Sequence, residues 1–241
     1  MAGEVFSVAD EVFARFPEYA RGVVVAHEVS NGPTPPAVVA QLRAAEESVR
    51  SRLTLETLTI EPRIAAWREA FRKLGIKPSE YRASVEAMAR RALRGQELPA
   101  INTLVDIGNI LSLRYLVPVG GHAIDHLTQG MTLRLATGTE LFEPFGTTEV
   151  EHPAPGEIVF VEGNTVLTRR WSWRQANHTL TLPESTAVEI NVDGLPPVSV
   201  AEVEAICRQA VNLVKEYCGG RVWFDVVTRQ KSQITLQPGA A

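Results

Sequence analysis

The chain has 241 residues, of which 45% are hydrophobic and 22% charged, which is typical of a globular protein and excludes a disordered or fibrous one. Its net charge of −4 at pH 7 argues against tight, nonspecific RNA binding, although a local basic face remains compatible with that charge. The apolar runs are too short to cross a bilayer and the acidic start has no export signal, so we expect a cytoplasmic protein without a membrane partner.

The first hundred residues predict one strand and then helices. A β-branched run at residues 22–29 predicts the strand, and the segment 31–36, rich in proline, ends it. Gly75 is expected to end one helix in the left-handed conformation. Apolar residues at helical spacing predict three helices, over residues 37–53, 64–74 and 80–93.

The remainder of the chain predicts mostly strands. A buried helix over residues 102–113 comes first, and a helix over 200–217 and a strand over 221–227 close the fold. The tail after Gln230 is expected to be frayed. Short β-like pieces are predicted at residues 131–136, 157–162, 166–170 and 186–192. This order predicts an α+β fold in one domain, with helices mainly N-terminal and a largely antiparallel sheet C-terminal.

The most specific pattern lies in the buried helix and just after it. Residues 102–109 read Asn-Thr-Leu-Val-Asp-Ile-Gly-Asn, and residues 120–125 read Gly-Gly-His-Ala-Ile-Asp. His122 follows Asn109 by thirteen positions. Small polar side chains and a histidine among apolar residues, next to paired glycines, are typical of a pocket that binds a small polar ligand.

This pattern resembles the editing (B3/B4) domain of the bacterial phenylalanyl-tRNA synthetase beta subunit, where N-x-x-V-D-x-T-N leads to G-x-P-x-H-A-F-D. The chain departs from it at Gly108, where that family usually has threonine, and in a slightly longer interval to the histidine. The likeness covers most of residues 60–220. The matching residues are Asn102, Val105, Asp106, Asn109, Gly120, His122, Ala123 and Asp125.

The resemblance implies a free-standing editing module that acts in trans or has been repurposed. It implies an N-terminal strand and helix extension packed on the core over residues 1–59, an editing-like domain over 60–230 and a C-terminal tail over 231–241. In that family the pocket positions a water against an ester that is already activated, without a metal or a covalent intermediate. The expected partner is therefore an aminoacylated tRNA acceptor end, and no cofactor is expected.

Two residues are the catalytic candidates. His122 would orient the water or bind the terminal ribose, because an imidazole both donates and accepts hydrogen bonds; the alternative is a histidine that buttresses a turn after Gly120-Gly121. Asn109 would hold the ester carbonyl or the α-amino group; the alternative is a helix-internal asparagine bonded to local backbone. His126 would allow a metal pair with His122, but no third ligand is apparent nearby, so no metal is expected.

Four residues are the substrate-binding candidates. Gly108 lacks the family's hydroxyl and opens volume, which indicates that the accepted side chain differs, and Gly121 is assigned to the same pocket. The resemblance makes Glu189 an acidic pocket residue, with an exposed strand position as the alternative. Asp106 would bond a neighbouring loop or, alternatively, meet a substrate ammonium group.

Basic and aromatic residues alternate over residues 169–174, and this segment is the RNA-contact candidate. Guanidinium groups bind phosphates, and indole faces stack on unpaired bases. The alternative is a strand with core tryptophans and solvated arginines, and it is favoured for Trp171. The assigned RNA-binding residues are Arg169, Arg170, Trp173 and Arg174.

Three functions fit these patterns. The leading hypothesis is a trans-editing aminoacyl-tRNA deacylase, a metal-independent ester hydrolase. The second is a non-catalytic module of the same fold that binds RNA or an amino acid. The third is a hydrolase of small amide or ester metabolites, and the acidic net charge favours the last two slightly.

Overall fold

Apolar faces at helical spacing form six α-helices in residues 5–237, the part of the chain that the computed structural model describes. Proline occupies the first turn of the second and third helices, where its missing N–H is not needed. The helices are α1 (Asp10–Arg15), α2 (Pro36–Arg52), α3 (Pro62–Lys73), α4 (Ser84–Leu93), α5 (Thr103–Tyr115) and α6 (Val200–Tyr217).

The strands of the described residues form two sheets. They are β1 (Val5–Val8), β2 (Ala20–His27), β3 (Val119–Ala123), β4 (Met131–Leu135), β5 (Ile158–Glu162), β6 (Thr165–Arg169), β7 (Arg174–Gln175), β8 (Ala187–Gly194), β9 (Arg221–Val227) and β10 (Gln233–Thr235). The first sheet has the order β10-β1-β4-β5-β6-β7 and is mixed, because β1 and β4 run parallel. The second has the order β3-β8-β2-β9 and is antiparallel throughout.

The β2 strand lies inside the second sheet and is buried along nearly its whole length. Its register with β8 runs from Ala20 opposite Gly194 to His27 opposite Ala187. Gly22 allows α6 to pack against this strand, since a Cβ there would lie 2.2 Å from the Cys207 sulfur. Residues far apart in sequence therefore share the centre of the fold.

The expected α+β fold, with helices mainly in the N-terminal half, is confirmed. The three helices predicted between residues 37 and 93 are also present, and Gly75 has the expected positive φ of 74°. The third of them begins at Ser84 and not at residue 80, because residues 78–80 form a turn. No helix in the described range 5–237 has the length and apolar character needed to span a membrane.

Both ends of the chain differ from expectation. The first residues were expected to hold a single strand, but β1 and α1 precede β2. The expectation of a frayed tail after Gln230 is wrong for β10, which pairs antiparallel with β1. Such pairing joins opposite ends of the chain, so local sequence does not reveal it. Residues 1–4 of the expected extension and 238–241 of the expected tail lie outside the described residues.

Candidate functional site

A cavity of about 500 Å³ lies between α5, β3 and β8, a size that suits a small-molecule ligand. Gly108 and Asn109 of α5 and Gly121 and His122 of β3 all line it. The structure thus brings both catalytic candidates and two of the four substrate-binding candidates to one cavity.

Asn102 fixes the start of α5 beside this cavity. Its side-chain oxygen accepts a hydrogen bond from the Val105 backbone N–H, at 3.1 Å, and so caps the helix. Its side-chain nitrogen donates to the Thr181 carbonyl at 2.9 Å. Both Asn102 and Thr181 line the cavity, so this residue also ties the start of the helix to a second segment of the cavity wall.

His122 is buried in β3, so the alternative of a histidine at a turn is wrong. Its Nδ1 lies 2.7 Å from the Thr179 hydroxyl, and its Nε2 lies 3.3 Å from the Thr168 hydroxyl. Burial, with a smaller effect from the positive charge of Arg21, lowers the pKa of His122 to about 3. The imidazole is therefore neutral at physiological pH, where it can orient a bound group but does not carry a charge.

Gly108 leaves room for a side chain. It lies within α5, and its φ is not positive. A Cβ at this position would meet Val119 Cγ1 at 3.8 Å, an ordinary van der Waals contact. The neighbouring Asn109 is half-buried on the cavity wall. A larger residue at Gly108 would therefore reduce the cavity and not disrupt the helix.

Asp106 faces away from the cavity and bonds a neighbouring loop. It is fully buried and accepts hydrogen bonds from the Thr34 hydroxyl at 2.5 Å and the Ile101 backbone N–H at 3.1 Å. Burial raises its pKa, and these two hydrogen bonds and one from Asn109 oppose that rise. We therefore withdraw Asp106 from the substrate-binding residues and keep the alternative, a structural role.

Glu189 is fully buried in β8, so the alternative of an exposed strand position is wrong. It lies opposite His122 in the strand register, and its Oε1 is 3.5 Å from Nη2 of Arg21. Burial, together with the nearby charge of Asp193, raises the pKa of Glu189 to about 7, although Arg21 opposes this. Glu189 does not line the cavity, but Arg21, its ion-pair partner, does.

Arg21 and Asn191 are lining residues that sequence reasoning missed. Arg21 is 1% exposed, donates to Asp193 Oδ1 at 3.3 Å, and lies over the ring of Phe160 at 4.5 Å from its centroid. Asn191 donates to the other oxygen of Asp193 at 2.7 Å. Side chains alternate along a strand, so the polar residues at positions 189, 191 and 193 share one face of β8. That spacing was the available signal for Asn191, whereas nothing in the local sequence indicated Arg21.

The mouth of the cavity carries aromatic and cationic residues. Trp173 and Arg174 line it, and the Arg174 side chain is 39% exposed. The Arg170 guanidinium lies 3.6 Å from the centroid of the Tyr81 ring and 4.4 Å from that of Trp173. Exposed Phe145 also lies at this rim. Three of the four RNA-contact candidates therefore lie at or next to the opening.

Arg169, the fourth RNA-contact candidate, is buried in an ion-pair network. Its Nε and Nη2 each donate to the Glu157 carboxylate at 2.9 Å, and its Nη1 donates to Glu151 at 2.7 Å. These bonds occupy the side of the guanidinium that a phosphate would need, so we withdraw Arg169 from the RNA-contact residues. Trp171 is 2% exposed and packs edge-on against Trp67, so its expected core position is confirmed.

His126 does not share a helix with His122. It is exposed in a turn after β3, whereas His122 is buried in the strand. Within residues 5–237, no group of three or more His, Cys, Asp or Glu side chains is placed to hold a metal ion.

Comparison with known proteins relates the fold to one family. Residues 66–219, more than half of the chain, match the family described as B3/4 domain. No curated protein matches the chain. Among solved structures, it is similar to an N-terminal fragment of the phenylalanyl-tRNA synthetase beta subunit from Pyrococcus horikoshii, at 12% identity and a TM-score of 0.47. The similarity covers 90% of this chain and 49% of that one, so the chain spans about half the length of the fragment.

Proposed function

The chain belongs to the B3/4 domain family, and on that premise we propose that it is a trans-editing aminoacyl-tRNA deacylase. The observation that carries the proposal is that Asn109 and His122 line one cavity, next to Gly108 and Gly121. Neither side chain is a strong nucleophile. The proposed reaction is therefore hydrolysis by a positioned water, which suffices for an ester because its carbonyl is already activated.

The proposed roles follow from hydrogen-bonding capacity. Asn109 lines the cavity and interacts with Asp106 through its side-chain amide, which leaves one N–H and the oxygen of that amide to hold the α-amino group or the ester carbonyl. His122 is neutral near pH 7 because of its pKa of about 3, and would orient the water or the terminal ribose hydroxyl. Its hydrogen bond to Thr179 fixes the ring, and the longer contact to Thr168 is the one that a ligand hydroxyl would replace.

The mouth is the proposed contact for the tRNA acceptor end. Trp173 offers a ring that would stack on an unpaired base, and Arg174 offers an exposed guanidinium for a phosphate. Arg170 is half-buried and stacks on Trp173, so its proposed part is to hold that ring in position. A local cationic rim of this kind is compatible with an acidic chain.

A second candidate function is a non-catalytic module that binds an amino acid. It is favoured by the environment of His122, whose ring nitrogens both face threonine hydroxyls and whose low pKa makes it a weak base. In this candidate the same cavity holds the ligand and no bond is broken.

A deacylation screen with a panel of mischarged tRNAs tests the proposal. The wild type should release amino acid from at least one of them well above the uncatalysed rate, and a chelator should leave that rate unchanged. His126→Ala is a suitable control, because His126 is exposed and does not line the cavity. Folded protein without activity on any tRNA would leave the binding module as the better account, and inhibition by a chelator would contradict metal-independent hydrolysis.

A further inference from the structure

The deepest charged residue of the cavity comes from outside the segment that matches the family. Arg21 lies in β2, whereas the match begins at residue 66. It reaches the cavity because β2 pairs with β8, the strand that carries Asn191. The N-terminal part of the chain thus supplies the floor of the site.

Two side-chain nitrogens of Arg21 make no hydrogen bond of normal length within the described residues. Its Nη1 donates to Asp193, but among the described residues Nε and Nη2 make no hydrogen bond. Nη2 lies 3.5 Å from Oε1 of Glu189 in an ion pair, and neither oxygen of that carboxylate has a hydrogen-bond partner among the described residues. A guanidinium presents five N–H donors in a planar fork, and buried donors of this kind require acceptors. The same cavity holds a second donor, because the buried Thr181 hydroxyl lines it and also has no partner in residues 5–237.

The charge of the lining favours an anionic group. Of the residues that line the cavity within the described chain, those with ionisable side chains are Arg21, His122 and Arg174, and none is a carboxylate. Asp193 and Glu189 form ion pairs with Arg21 but do not line the cavity. A ligand that reaches Arg21 would therefore meet guanidinium donors and no carboxylate on the cavity wall. This arrangement suits a carboxylate better than an ammonium group.

We propose that Arg21 is a carboxylate-binding residue at the floor of the cavity. The inference rests on the cavity being the ligand site, as the proposed function requires. The carboxylate has two possible sources. In an aminoacyl-tRNA the α-carboxyl is esterified, so the carboxylate would belong to an acidic side chain. In a free amino acid it would be the α-carboxylate.

Calorimetric titration of the full chain with two matched ligand pairs distinguishes these sources. The first pair is glutamic acid α-amide, which has only a side-chain carboxylate, and glutaminamide, which has none. The second pair is phenylalanine and phenylalaninamide, which differ only in the α-carboxylate. In at least one pair, the ligand that carries the carboxylate should bind about tenfold more tightly than the ligand that lacks it. A preference in the first pair supports an acidic aminoacyl substrate, and a preference confined to the second supports a free amino acid.

Arginine variants then assign the preference to Arg21. Arg21→Gln should abolish it, and Arg21→Lys should retain part of it, because lysine keeps the charge but lacks the planar fork. Arg208→Gln is the matched control, since Arg208 is an exposed arginine of α6 outside the cavity. If the Arg21→Gln variant does not fold, the two ligand pairs measured with the wild type and with Arg21→Lys still test the proposal.

Equal binding within both pairs, or no binding of any of the four ligands, would overturn the proposal. The proposal would also be overturned if the Arg21→Lys variant kept the whole preference for the carboxylate ligand and the Arg208→Gln variant lost it. Deacylation does not enter this measurement. A carboxylate preference without any tRNA deacylation would contradict the proposed enzyme and leave Arg21 as the carboxylate-binding residue. Deacylation without a carboxylate preference would contradict the role of Arg21 and leave the proposed enzyme.

Discussion

The floor and the mouth of the cavity are built in opposite ways. At the floor, Arg21 and His122 are buried and lie close to a carboxylate network. At the mouth, Trp173 and Arg174 are partly exposed and Phe145 faces solvent. Buried polar groups can discriminate between small chemical groups, whereas exposed cations and rings bind a large polyanion with less selectivity. We therefore expect floor variants to change turnover and specificity, and mouth variants to change affinity for tRNA.

The largest effect is expected from the removal of His122. His122→Ala should lower kcat by roughly ten- to a thousandfold, because the group that positions the water or the ribose is lost. Because His122 is buried and bonded to Thr179, His122→Gln serves as a second variant that retains polarity. Rates should be measured on the folded fraction. Unchanged turnover in both variants would assign His122 to structure alone.

A smaller effect is expected at the mouth. Trp173→Ala should raise KM for aminoacyl-tRNA by about tenfold with little change in kcat, because base stacking contributes roughly 1–3 kcal/mol. Arg169→Gln is the contrasting variant. It breaks the buried pair with Glu157, so it should lower the free energy of unfolding by about 3 kcal/mol and leave the tRNA affinity of folded protein unchanged. A fall in kcat alone for Trp173→Ala would contradict the division between floor and mouth.

The floor also predicts a pH effect on stability. In the folded chain the pKa of His122 is about 3 and that of Glu189 is about 7, against ordinary values of 6.5 and 4.5. Between pH 4.5 and 6.5 the unfolded chain binds a proton at the histidine, and the folded chain binds one at the glutamate. These two contributions to the pH dependence of the free energy of unfolding have opposite signs and cancel.

Glu189→Gln should remove one of the two contributions. Its free energy of unfolding should then rise relative to wild type, as the pH increases from 4.5 to 6.5, by about 1.4 kcal/mol per pH unit. Urea unfolding of both proteins at several pH values measures this difference. Parallel curves for the two proteins would show that Glu189 and His122 do not have these opposite shifts.

The smallest effect is expected at Gly108. Gly108→Thr should stabilise the chain by about 0.3 kcal/mol, since threonine has the higher helix propensity and a Cβ fits at this position. The larger side chain should also narrow the range of aminoacyl groups accepted, with any gain for substrates that hydrogen-bond the new hydroxyl. Values of kcat/KM for several aminoacyl-tRNAs in both proteins measure this. An unchanged ranking would remove Gly108 from the specificity residues.

The wall of the cavity could be predicted from sequence, because its residues lie in one short segment. Gly108, Asn109 and His122 fall within fifteen positions; Asn109 and His122 match a family pattern, and Gly108 is the position where the chain departs from it. The helical period over residues 102–113 also predicted α5 within two residues of its ends. The spacing of residues along this segment was sufficient to predict the cavity wall, because the local structure of the segment determines which of its side chains face the cavity.

The floor could not be predicted in this way, because it depends on pairing between distant strands. Arg21 and Asp193 are 172 residues apart in sequence and are in contact only because β2 pairs with β8. Arg169 illustrates the same limit: the alternation of basic and aromatic residues around it suggested RNA contact, but it is buried in an ion pair with Glu157. The role of a charged residue can be assigned correctly only when its ion-pair partners in the folded chain are known.

A crystal structure with a non-hydrolysable analogue, in which an amide joins the aminoacyl group to 3′-amino-3′-deoxyadenosine, tests the central claim most directly. The aminoacyl group should occupy the cavity between Asn109 and His122, with the carbonyl oxygen within hydrogen-bond distance of one of them. The adenosine should lie at the mouth, against Trp173. An analogue bound with its adenosine at Arg21, or bound outside this cavity, would contradict the assignment of floor and mouth.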